Sequence, residues 1–103
     1  MSKTHKDEQF LNMADAFIDL ANELCAEADK GKVSAAFLYA AARFNTFIVA
    51  SSAADAEALE SVQDRATDYF MDEYRKMLDE HMADYQVNFN DFIKPKDGSK
   101  AIN

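Results

Sequence analysis

Between Ala35 and Ala50 the chain is apolar on nearly every side, with Phe37, Leu38, Tyr39, Phe44, Phe47, Ile48 and Val49 set among alanines. A helix of that kind has no face suited to water and must be covered on more than one side, by protein or by lipid. Lipid fits poorly. A membrane span needs about 20 mainly apolar residues, whereas Arg43, Asn45 and Thr46 interrupt this run and alanine supplies much of its apolarity. Placing Arg43 near a bilayer centre would cost about 2.5 to 3.5 kcal/mol on insertion scales. The run therefore reads as a core helix, and no membrane is expected as a partner.

What covers that helix is bounded by size and charge. A chain of 103 residues fits one domain just large enough for its own core. With no tryptophan but eight phenylalanines, four tyrosines and five methionines, the core must be aromatic rings and thioethers packed on alanine. A formal net charge of -8 repels phosphate backbones and anionic headgroups, so no nucleic acid partner is expected. Solubility explains the acidity. Cys25 stands alone and cannot close an intramolecular disulfide. The start Met1-Ser2-Lys3-Thr4-His5-Lys6 lacks the apolar stretch of a secretory signal, which makes a cytoplasmic location the expectation.

In chain order, residues 1–6 read as a disordered N-terminus, residues 7–93 as a single helical domain and residues 94–103 as a flexible tail. Thr4 or Asp7 can cap a first helix, in which Phe10, Met13, Ala14, Phe17, Ile18, Ala21, Leu24, Cys25 and Ala28 recur at three- and four-residue intervals. That helix is expected to end at Asp29-Lys30-Gly31, with Gly31 in the left-handed conformation that closes helices. The short connection Gly31-Lys32-Val33 turns the central helix back antiparallel, Ser34 is its expected N-cap, and it runs to about Ala50. Ser52-Ala53-Ala54-Asp55 has capping-box spacing and marks a second reversal.

From Asp55 to Pro95 no glycine or proline interrupts the chain. Leu59, Val62, Ala66, Tyr69, Phe70, Tyr74, Met77, Leu78, His81, Met82 and Tyr85 keep helical spacing, and Asp72 with Lys76 forms an acid-before-base pair. The poor helix formers Val87-Asn88-Phe89-Asn90 leave two courses open there, a continuing helix or a break followed by a short terminal helix through Phe92 and Ile93. The fold class is all-α, an antiparallel three-helix bundle with a long third helix and room for a short C-terminal one.

The helix lengths do not match. At about 1.5 Å per residue the central helix spans about 25 to 28 Å and the third about 45 Å. The far end of the third carries Met77, Leu78, Met82, Tyr85, Phe89 and Phe92 past its companions, and soluble monomers seldom leave such patches bare. Two covers fit: Phe89 and Phe92 folding back over the first helix, or a second copy. A symmetric homodimer is the preferred expectation, with Met77, Met82, Tyr85, Phe89 and Phe92 as its interface.

Few residues are suited to chemistry. Arg43 can form a structural ion pair with Asp19 and Glu23 of the first helix or Glu60 and Asp64 of the third, or else bind an anion through its guanidinium fork. His81 lies on an apolar stripe, but no Glu-x-x-His pair occurs, so no di-iron site and no metal are expected. Cys25 sits between Glu23 and Glu27, which oppose a thiolate, and reads as a small buried hydrophobe. Tyr39, Tyr69, Tyr74 and Tyr85 read as core, with a ligand pocket between helices as the alternative. No calcium loop, phosphate loop or nucleophile elbow is present, and no cofactor is expected.

Three stretches together carry a resemblance: Phe17-Ile18-Asp19-Leu20-Ala21-Asn22-Glu23-Leu24; Val33-Ser34-Ala35-Ala36 through Tyr39-Ala40-Ala41-Ala42-Arg43-Phe44-Asn45; and Tyr74-Arg75-Lys76-Met77-Leu78 with Tyr85 and Asn88-Phe89. They resemble a family of short bacterial all-helical proteins catalogued only as a domain of unknown function, the 3144 type. The resemblance implies a bacterial source and a helical fold, and it carries over no catalytic residue. The expected function is that of a non-enzymatic helical protein that self-associates and acts through protein-protein contact. The alternative is a small-molecule or anion-binding module, or a minor enzyme, with a pocket between helices near Arg43.

Overall fold

The computed structural model describes residues 6–94, and these are helical with no strand among them. Helix α1 spans Glu8–Leu24, α2 Lys30–Ser51, α3 Ala56–Val87 and α4 Phe89–Phe92. The expected all-α fold, the long third helix and the short terminal one are all present. The expectations for residues 1–5 and 95–103, Thr4 and most of the tail included, lie outside the described residues.

Each long helix begins on an aspartate. At α1 the Phe10 N–H donates to Asp7 Oδ1 at 2.8 Å, and at α3 the Ala58 N–H donates to Asp55 Oδ1 at 2.8 Å. At α2 the Lys32 N–H donates to Asp29 Oδ2 at 3.2 Å while the Val33 N–H donates to the Asp29 carbonyl. A carboxylate there satisfies a donor that has no partner within the helix and sits at the positive end of its dipole.

Two of these starts correct the expected boundaries. Gly31 does not close α1; it lies in the first turn of α2, and Asp29 rather than Ser34 is the cap. Helix α1 stops earlier, at Leu24, and a turn follows in which the Ala26 N–H donates to the Glu23 carbonyl and those of Glu27 and Ala28 donate to the Leu24 carbonyl. Gly31 leaves room for the cap: a Cβ built on it would stand 3.0 Å from Asp29 Oδ2. Between α2 and α3 Asp55, not Ser52, caps α3, and the Ser52 and Ala53 N–H groups instead close the end of α2 onto Val49 and Ala50. A serine and an aspartate are comparable caps; the aspartate wins where it stands next to the helical run.

Helix α3 ends at Asn88, whose side-chain amide donates to Asp84 Oδ1 at 2.8 Å and to the Asp84 carbonyl at 3.3 Å. The backbone leaves the helical region there, with φ -107° and ψ 26°. Of the two courses open in the sequence, the chain takes the break.

The chain divides into two units, Met1–Ile48 and Val49–Asn103. In the first, α1 meets α2 through Phe17 and Phe37, whose ring centroids lie 6.5 Å apart. In the second, α4 turns Phe92 onto Tyr85 of α3, ring centroids 4.8 Å apart and tilted by 49°. Leu59, Val62, Ala66 and Phe70 form a half-buried stripe along the first half of α3. Lys76 pairs with Glu73 at 3.6 Å rather than with Asp72, and an exposed pair of that kind contributes little.

Candidate functional site

Helix α2 was expected to be the covered rod. In the structure it is mostly bare, and Val33, 7% exposed, is the one buried residue among those described. Tyr39, Phe44 and Phe47 are 72%, 62% and 61% exposed, and Phe37, Leu38 and Ile48 are also more than one third exposed. By length and composition the helix is one that could cross a membrane. The core helix of a soluble protein passes the same test, and Arg43, Asn45 and Thr46 lie in its middle.

Along one face of α2 runs an open concavity of about 770 Å³, lined by Tyr39, Ala40, Ala42, Arg43, Phe44, Thr46 and Phe47. A rotation of about 100° per residue puts Tyr39, Arg43 and Phe47 within one quarter of the helix surface. Phe44 and Phe47 lie tilted to one another, ring centroids 6.1 Å apart, and the Thr46 hydroxyl donates to the Ala42 carbonyl at 2.8 Å. Arg43 is exposed and, within the unit ending at Ile48, makes no ion pair with Asp19 or Glu23.

The residues expected at the far end of α3 divide into two kinds. Met77, Met82 and Phe89 are exposed, with Val87 the barest of their neighbours at 83%, while Tyr85 and Phe92 half-bury one another. Part of the far end of α3 is thus covered by the chain itself, through α4, and Met71, Tyr74, Leu78 and Ile93 remain exposed with the rest. The patch is wider than sequence reasoning made it. Aromatic and thioether side chains at helical spacing signalled an apolar face, but spacing alone does not say whether the same chain covers it.

Of the other singled-out residues, His81 is exposed and His5 lies outside the described residues. Among the described residues no three His, Cys, Asp or Glu side chains converge on a metal-sized site. Cys25, expected to be buried, is half-exposed because α1 ends on it; its N–H donates to the Ala21 and Glu23 carbonyls. Tyr69 stands edge-on to Phe70, centroids 5.4 Å apart. Chemically, the α2 concavity offers apolar area with one cation, Arg43, set within it.

Comparison with known proteins places this arrangement among relatives. A family described as "Protein of unknown function (DUF3144)" matches residues 10–86. A solved structure, the NMR structure of the protein NB7890A from Shewanella sp, is similar with a TM-score of 0.70 and 35% sequence identity, over 86% of this chain and 93% of that one. No curated protein matches the chain.

Proposed function

Since the chain belongs to the DUF3144 family of proteins of unknown function, we propose that it is a non-enzymatic bacterial helical protein that self-associates as a homodimer in the cytoplasm and works through protein-protein contact. One observation carries the reading: side chains of core type are present in quantity, and a single chain shelters almost none of them. Tyr39, Phe44 and Phe47 alone, at about 200 Å² each, leave on the order of 400 Å² of ring in water, already the largest patch expected on a soluble monomer. The end of α3 adds Met77, Met82 and Phe89, with Tyr85 and Phe92 at its edge.

Sedimentation equilibrium at micromolar concentration tests it. The expected mass is twice that of the chain, and Met82→Asp or Phe89→Asp shifts it toward the monomer. A wild-type chain that is monomeric at that concentration overturns the reading.

A second reading takes support from the concavity around Arg43, in which a small organic anion would find a guanidinium between aromatic rings. A thermal-shift screen against carboxylates and phosphates decides it, because a ligand of the folded state alone raises the melting temperature. A shift abolished by Arg43→Ala would favour this reading.

A further inference from the structure

We infer that Met71, Tyr74, Leu78, Met82 and Tyr85 of α3 pair antiparallel with the same five residues of a second copy, about a two-fold axis at Leu78, with Arg75 of each copy meeting Asp79 of the other. This rests on the self-association proposed above and says which face carries it. Through its first half α3 turns Leu59, Val62, Ala66 and Phe70 to one side, and that line runs on into Glu73, Glu80 and Asp84, which would repel their own copies. The second half presents another line. At about 100° per residue, Met71, Tyr74, Leu78, Met82 and Tyr85 fall within about 40° of a line passing through Leu78, about 100° round the helix from Leu59, and no charged residue between Thr67 and Tyr85 does so. Four of the five are exposed, and Tyr85 is half-buried under Phe92.

That line is symmetric about its own centre. Tyr74 and Met82 stand four residues either side of Leu78, and Met71 and Tyr85 stand seven. Turned end for end, the stripe sets Leu78 on Leu78, Tyr74 on Met82 and Met71 on Tyr85. Every methionine then meets a tyrosine, a favourable contact of thioether with ring, and the surface is its own complement, as a two-fold interface requires.

The charges at its edge agree. Arg75 stands about 60° from the centre of the line and Asp79 about 40° beyond it on the same side. A two-fold axis brings like edges together with their directions reversed, so that Arg75 of one copy comes level with Asp79 of the other to within about 3 Å. Inside one helix the same two residues are a pair with the base first, the weaker order, and neither forms an ion pair among the described residues of α3. Pattern and charges alike are properties of α3 by itself.

Sedimentation equilibrium of charge-reversed chains tests the contact. Arg75→Asp and Asp79→Arg each set like charges opposite one another twice in a dimer and are each expected to weaken it about tenfold. An equimolar mixture of the two is expected to recover the wild-type affinity as a heterodimer, in which both edges are again opposite in sign. Variants as dimeric as the wild type, or a mixture without rescue, overturn this contact while leaving self-association standing; a monomeric wild type removes the reading beneath it. Should either variant unfold by circular dichroism, cross-linking decides. Leu78→Cys with Cys25→Ala places one thiol of each copy on the axis and is expected to give a disulfide-linked dimer in air far faster than Met71→Cys with Cys25→Ala, whose thiol would face a tyrosine. Equal rates or no cross-link, the result if α1 or α2 of the same chain covers Leu78, overturns the contact.

Discussion

At the scale of single residues, the starts of the helices are set by Asp7, Asp29 and Asp55. Asp55→Ala should cost about 1 kcal/mol of stability, measured by urea denaturation at fixed protein concentration. Gly31 and Asp29 are coupled through the 3.0 Å approach. Gly31→Ala is expected to be close to neutral in the wild-type chain, since the propensity gained for the helix is offset by displacing the cap. In an Asp29→Ala background the same change should stabilise by about 0.5 to 1 kcal/mol, a non-additivity that a double-mutant cycle reads directly. Lys76→Ala, which removes only the exposed pair with Glu73, should change stability by less than about 0.5 kcal/mol in the isolated helix face. Asp7 was legible as a cap because it stands directly before the periodic run. Asp29 and Asp55 were not, because Gly31, Ser34 and Ser52 offered chemically equivalent boundaries and only backbone geometry chooses among them.

At the scale of elements, α3 persists for 32 residues because no glycine or proline interrupts it, and it ends where Asn88 competes with the helix by bonding Asp84. Replacing Asn88 with alanine removes that competition and raises helix propensity. Amide hydrogen exchange should then slow at residues 88–92, whereas Phe92→Ala, by removing the ring that holds α4 on Tyr85, should speed exchange at 89–93 with little effect before Glu80. The helices themselves were readable from periodicity, which depends only on neighbours three and four places away. The break at Asn88 was readable as a weak point, and its outcome depended on a side-chain bond that spacing does not encode. The exposure of Tyr39, Arg43 and Phe47 was not readable at all: an all-round apolar helix announces that it needs cover and leaves open which molecule supplies it.

At the scale of the whole molecule, Val33 is the one buried residue among those described, which leaves little full burial to set against the conformational entropy of folding. On the self-association proposed above, contact between copies supplies much of the burial that stabilises the fold. Heat capacity of unfolding, which tracks apolar surface exposed, should accordingly belong to the assembly, and the melting temperature should climb with protein concentration. On that proposal dilution would act on this protein as a mild denaturant does on others, and the abundance of the chain would set how much of it is exposed to proteolysis.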